Sequence, residues 1–285
     1  MAKLGYNYET IANFSMAADI YERLFKEAPT KPVKMDDKTK QKEKQAEIDK
    51  FVKEGLYRSA YFRKKMGQWK ESIANKEKYI ETYPEDSLSV TLPIDIANVY
   101  YDNSKLSKAA NAFEKYYQKP HDDATHDNKF YARLKHAELL GKLRRTTQQK
   151  KVWKYTIEAF DSYKKEIQKK NNITDEMLKT PEGKNKLSQS LSPVVRTYIA
   201  EIMYNMAAAE NKRYLAMKIP GPKGYGSPQY IQRVLNKQIK AKIEALRAVE
   251  ATYVKIVLIQ GGKWSLESKH HSIKAQETKD SVLAH

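Results

Sequence analysis

The 285-residue sequence has no cysteine. That excludes disulfides, thiolate metal sites and cysteine nucleophiles, but it leaves the compartment open. Glycine and proline are scarce, at 10 each, and they stand as isolated punctuation. Val and Thr do not form alternating runs, so no sheet is expected. Long apolar runs are missing too. The cluster Ile256-Val257-Leu258-Ile259 is far too short to cross a membrane. Met1 to Asn13 holds no apolar core of a secretion signal. Mean hydropathy is low, at −0.79. This suits an elongated helical array with much surface better than one compact globule.

What the chain has in excess is positive charge. Lys and Arg number 53 against 35 Asp and Glu, a net of +18, and the pI is near 9.6. The charge is Lys-dominated and reads as spread along the whole chain. Solvated helix faces account for it. The sharper readings are attraction to acidic proteins, anionic envelope polymers or nucleic acid. No compact Arg-rich block singles out nucleic acid.

The most informative positive feature is a spaced pattern. Gly5 is followed by Tyr8, Ala17, Tyr21 and Pro29. At the same offsets, Ala60 is followed by Arg63, Ser72, Lys76 and Pro84. Ala97 is followed by Tyr100, Ala109 and Phe113, with Pro120 one residue short of the last offset. Small residues twelve apart let two helix backbones approach, aromatics fill the seam, and a proline ends the second helix. The pattern resembles the tetratricopeptide repeat, closely over residues 1–120 and loosely over 121–170. The fold class expected is therefore all-α, a tetratricopeptide-like solenoid of helical hairpins with long C-terminal helices.

The expected organisation has four parts: repeats over 1–123 with a charged insertion at 30–52, a degenerate hairpin and linker over 124–186, a long helical pair over 187–262, and an atypical, disordered tail over 263–285. Gly67 is read as a left-handed turn. From about Asp37 no breaker occurs, so the first helix of the second unit should extend backwards, with Ile48, Phe51, Val52 and Leu56 on one face. Asn171 to Lys186 reads as a polar connection. Ser192-Pro193 and Ser227-Pro228 are helix starts. The buried stripes expected behind them are Val195, Ile199, Ile202, Met206 and Ala209, and Ile231, Leu235, Ile239, Ile243, Leu246, Val249, Tyr253 and Ile256. Gly261-Gly262 is a stop, and Ile219 to Pro228 is a break. The repeat register would begin before Met1, so the chain is expected to be a piece of a longer protein.

Catalytic and metal chemistry find little support. His121 and His126 stand near aspartates, but in a segment where Asp and Asn favour turns, and no further ligand has motif spacing. Gly221 to Gly226 lacks the Gly-Lys-Ser/Thr ending of a phosphate loop. No catalytic site, cofactor, metal or small-molecule substrate is expected, and the chain is not read as an enzyme.

A narrower resemblance lies in the last third. Arg196-Thr197-Tyr198-Ile199-Ala200-Glu201, then Tyr214 to Ile219, a loop, a long Lys/Glu helix and Gly262-Lys263-Trp264-Ser265 resemble large tetratricopeptide proteins of the deltaproteobacterial cell envelope, of the adventurous gliding motility type. That implies a protein-binding scaffold in the periplasm or at the outer membrane; the cytoplasm is the alternative. The tetratricopeptide resemblance also implies that the outer face of each first helix lines a concave groove. Tyr6, Tyr57, Tyr61, Lys64, Lys65, Asn98 and Tyr101 fall there. Tyrosines beside lysines suit an extended peptide, or an acidic protein segment with a carboxylate near Lys64 or Lys65. Nucleic-acid binding by a basic helical array is the alternative function.

Overall fold

A computed structural model of the chain describes residues 1–28, 38–218 and 227–283. Among these the secondary structure is entirely helical, with twelve α-helices and one short 3-10 turn. Two compact units divide the chain, 1–144 and 145–285. The segment expected as one piece, 124–186, is split between them at Arg144.

The first unit holds α1 (Ala2–Thr10), α2 (Phe14–Glu27), α3 (Lys38–Lys65), α4 (Trp69–Thr82), α5 (Ser87–Asp102), α6 (Leu106–Gln118) and α7 (His126–Lys142). Each helix packs on the next, and direct contacts also join α1 to α3 and α5 to α7. The small residues twelve apart are all buried: Gly5 and Ala17, Ala60 and Ser72, Ala97 and Ala109. At the second crossing the Ser72 hydroxyl donates to the Ala60 carbonyl at 2.7 Å. At Gly5, an added Cβ would stand 2.6 Å from the Tyr21 ring.

A second periodicity runs through the backbone. Seven residues after Gly5, Ala60 and Ala97, the residues Ala12, Gly67 and Ser104 have φ values of 58°, 76° and 58°. Arg144, seven after buried Ala137, has φ 59°. At Ala12, Gly67 and Ser104 the turns also share their hydrogen bonds. The left-handed amide reaches back three residues and the next amide reaches back five, as from Ser104 to Tyr101 and from Lys105 to Tyr100. This arrangement satisfies carbonyls that the helix end would leave bare. The following helix then opens nine residues after the small residue, at Phe14, Trp69, Leu106 and Thr146.

The backward extension of the second unit is present, since α3 runs for 28 residues from Lys38. Its expected face is half realised. Val52 and Leu56 are buried, while Phe51 is exposed. The loop preceding it, from 29 to 37, lies outside the described residues, and so does the break at 219–226.

The second unit holds α8 (Thr146–Lys170), α9 (Pro181–Ser190), α10 (Pro193–Ala216), α11 (Pro228–Ile259) and α12 (Lys263–Leu283). Helix α9 occupies part of what reads as a polar connection. The signal is Thr180-Pro181: the Thr180 hydroxyl accepts from the Gly183 amide at 3.1 Å and proline takes the first turn. Ser192 and Ser227 cap α10 and α11 as expected. The buried stripe of α10 keeps Val195, Ile199 and Ile202 but passes to Ala207 rather than Ala209, which is exposed. On α11 it is strongest at Leu246, Val249, Tyr253 and Ile256. Ile231's side chain lies outside the described set.

The disordered tail expected over 263–285 is corrected: residues 263–283 form α12, packed on both α10 and α11. Helix α11 is longer than α10, and α12 supplies the second cover. Close approach makes the corner. A Cβ on Gly261 would lie 2.3 Å from that of Ala200 and 2.8 Å from the Arg196 carbonyl oxygen. Trp264 then packs 5.0 Å from the Tyr204 ring, and His271 stacks on Tyr253 at 5.2 Å.

A left-handed serine carries a steric penalty that glycine lacks, only partly offset by the chain entropy glycine loses. Ser104→Gly should raise the stability of the first unit by about 0.5–1 kcal/mol. Urea unfolding of the purified chain measures it; a loss of stability would contradict the turn geometry.

Candidate partner-binding face

The second repeat carries charge where the other two carry rings. Arg63 stands at the offset of Tyr8 and Tyr100, and Lys76 at that of Tyr21 and Phe113. Both are buried, Lys76 to 2% exposure. Arg63 answers four acceptors. Its Nε and Nη2 donate to the Glu22 carboxylate at 2.8 and 2.9 Å, Nη2 to Asp19 at 2.5 Å and Nη1 to the Gln68 amide oxygen at 2.7 Å. Asn75 adds a bond to Glu22 at 2.8 Å. Lys76 pairs with Asp95 at 2.5 Å, and Lys64 reaches the other Asp95 oxygen at 2.7 Å.

The charges shift one another as their geometry requires. Burial would raise the Glu22 carboxyl, but hydrogen bonds from Arg63 and Asn75 outweigh it and hold the group below the ordinary range. Asp95 follows the same logic, with burial overcome by Lys64 and Lys76. Burial lowers Lys76 in spite of Asp95. Tyr21 is pushed up to about 12 by burial and by its bond to Glu9.

Against this frame the expected groove residues separate. Tyr57 and Tyr61 are exposed on α3, Tyr61 to 47%, and Lys65 lies 5.4 Å from the Tyr61 ring centroid. Tyr57 meets the buried Tyr79 edge-on at 6.3 Å. Lys64 is already committed to Asp95. On α5, Asn98 accepts from the Tyr131 hydroxyl at 3.2 Å, and the Tyr101 hydroxyl accepts from Lys142 at 2.5 Å. Lys142 also pairs with Glu138 at 3.2 Å, as Lys135 does at 2.8 Å. These links cross from α3 to α5 and from α5 to α7. Tyr6 stands apart. It is 60% exposed and lines a cleft of about 390 Å³ with Phe51, Glu54 and Arg58. Its cleft is shared with the α3 residues before Tyr61, and no described bond joins it to Lys64, Asn98 or Tyr101.

Sequence reasoning passed over Asp95, Glu22, Tyr131, Glu138 and Lys142. Arg63 and Lys76 at aromatic offsets were the available signal, because a cation in a seam demands a carboxylate nearby. The partners themselves come from other helices, 31 to 44 positions away for Lys64–Asp95 and Arg63–Asp19, so spacing alone does not name them. His121 belongs to a turn. Its Nδ1 accepts from the Asp123 amide at 3.2 Å, which leaves Nε2 to donate to the Pro84 carbonyl at 3.0 Å. Among the described residues no three His, Asp or Glu converge in a metal-holding group.

No protein-family model matches the chain, and no curated protein matches it either.

Removing Arg63 takes two of its three side-chain donors from the Glu22 carboxylate and leaves it with Asn75 alone. Arg63→Ala should cost roughly 3–5 kcal/mol, as breaking a buried pair does, measurable by denaturant unfolding. Glu22 and Asp95 make stability depend on pH. Their folded pKa values lie below the unfolded ones, so the unfolded chain binds more protons. Their stabilisation is complete above the ordinary carboxylate range and is lost as pH falls through the depressed values. Melting followed by circular dichroism should decline below about pH 5. Asp95→Asn should lower stability at neutral pH and make that decline shallower.

Proposed function

We propose that the chain is a non-catalytic scaffold built of tetratricopeptide-like hairpins, which holds a protein or peptide on the face formed by α3, α5 and α7. The observation that carries this reading is the coincidence of two registers. The small residues that permit close crossing recur with a left-handed turn seven residues on and a new helix nine residues on, four times among the described residues. A stack of like units, each contacting its neighbours, presents an extended lateral surface. Direct contacts between α1 and α3 and between α5 and α7 support a layer of first helices behind such a surface.

Within that face the recognition elements are Tyr57, Tyr61 and Lys65. Exposed tyrosines offer ring area at small entropic cost on binding, and Lys65 adds charge for an acidic segment. Lys64, Asn98 and Tyr101 serve instead to tie the first helices together. Placement in a cell-envelope complex rests on the resemblance of the last third alone.

The test separates recognition from folding. Affinity capture from the source organism with the wild-type chain should enrich a defined partner. Tyr61→Ala with Lys65→Glu should abolish that capture and leave helicity and melting unchanged. Capture that survives this double variant would move the binding site off the face. Lys64→Glu is a poor probe, since it breaks the Asp95 pairing and would be expected to lower stability.

A further inference from the structure

The positive charge is not evenly shared. The first unit has 27 Lys and Arg against 22 Asp and Glu, a net of +5. The other unit has 26 against 13, a net of +13. The excess has a local source. Between Glu210 and Glu244 no acidic residue occurs, and eight Lys and Arg do. Those on described residues lie on the last turns of α10, at Lys218 just past its end, and on the first half of α11.

Two contacts fix how these elements meet. The Lys242 ammonium donates to the Met217 carbonyl at 3.0 Å, and it lies 5.4 Å from the Tyr214 ring centroid. Tyr214 is buried with Leu246. The end of α10 therefore rests beside α11 at Lys242 to Leu246. From there α11 continues towards its own N-terminus with Lys240, Lys237 and Arg233 exposed at spacings of three and four, one stripe about 10 Å long. Lys212 and Arg213 are exposed at the α10 end. Apolar groups are exposed in the same region: Leu215 to 69% and Tyr230 to 54%.

We propose that this end of the second unit docks on an anionic membrane surface, its lysines meeting acidic lipid headgroups while Leu215 enters the interface. Charge complementarity argues for a polyanion, and the apolar residues choose among polyanions. An exposed aliphatic chain amid cations gains free energy in the interfacial layer of a bilayer. A phosphodiester chain gives it nothing. The basic residues between Glu210 and Glu244 are six Lys and two Arg, which fits diffuse attraction to headgroups better than the bidentate arginine contacts that read bases. Among the described residues no helix is long and apolar enough to cross a membrane, so the attachment is to a surface. It is independent of the partner-binding face on the first unit.

The experiment is cosedimentation of the full chain with vesicles of phosphatidylcholine alone and of phosphatidylcholine mixed with phosphatidylglycerol. Binding should appear only with the mixed vesicles and weaken as salt rises. Each basic residue near such a surface is worth about fivefold in affinity, so Lys237→Glu with Lys240→Glu should lower binding at least tenfold. The same reversal at exposed Lys78 and Lys115 of the first unit should change it less than twofold. Leu215→Ser should reduce the part of the binding that survives high salt. The proposal is overturned if mixed vesicles retain no protein, or if the Lys237/Lys240 reversal leaves binding intact with helicity unchanged. Stronger retention of single-stranded RNA than of vesicles, indifferent to Leu215→Ser, would overturn it in favour of a nucleic-acid surface.

Discussion

Two helices can cross closely only where neither backbone carries a bulky side chain. In the first unit that requirement is met by Gly5 against Ala17, Ala60 against Ser72 and Ala97 against Ala109. The rest of the unit follows from it. Once the crossing point is fixed, the turn must reverse the chain within a few residues. A left-handed residue seven positions on does so while returning two amides to the helix end. Glycine fills this position once, at Gly67, where the conformation is free of strain. Alanine, serine and arginine fill it at Ala12, Ser104 and Arg144, so tight packing on either side holds a backbone that the local sequence does not favour.

The second repeat is set apart by what flanks its crossing. Beside Ala60 and Ser72 stand Arg63 and Lys76, both buried, instead of rings. A buried cation is costly unless its charge is answered. Arg63 is answered by Glu22, Asp19 and Gln68, and Lys76 by Asp95. Each acid lies on a helix of an adjacent repeat, Glu22 on α2 and Asp95 on α5. The ionic seam is thus also a set of links between successive hairpins, and it ties α2, α3, α4 and α5 into a single register. Apolar contacts could supply comparable energy, but they would not specify which neighbour lies where as tightly as paired charges do.

Much of this was legible in the sequence, and the limits have physical causes. The small-residue offsets, the glycine turn, the extended α3 and the caps at Ser192 and Ser227 are local signals, and local signals survive in one dimension. The partners of Lys64, Asn98 and Tyr101 are not local. Those residues look free in a helical projection, yet they serve Asp95, Tyr131 and Lys142. The last segment shows the converse error. Residues 263–283 have a weak stripe and many polar groups, which reads as disorder by composition. They fold because Gly261 permits a corner that most side chains would block, and because Trp264 and His271 find the rings of Tyr204 and Tyr253. Composition predicts whether a segment can bury a face of its own; it is silent on whether a neighbour supplies one.

The division of the chain at Arg144 also divides its charge. Along the sequence the lysines are scattered everywhere, and within a short window a Lys/Glu-rich helix of one unit is hard to tell from a Lys-rich helix of the other. Once the units are separated, the first proves nearly balanced. Some of its acids, Glu9, Asp19 and Asp95 among them, pair Arg58, Arg63, Lys64 and Lys76 and link helices distant in sequence. The other unit is joined mainly by apolar and aromatic contacts between α10, α11 and α12, and its cations have few acids to answer them. A net of +13 repels itself, and that repulsion opposes compaction. Clustering eight basic residues between Glu210 and Glu244 worsens this locally, and among the described contacts it is Lys242 that finds partners, at Met217 and Tyr214. Such an arrangement is least costly when the neutralising charge comes from outside the chain.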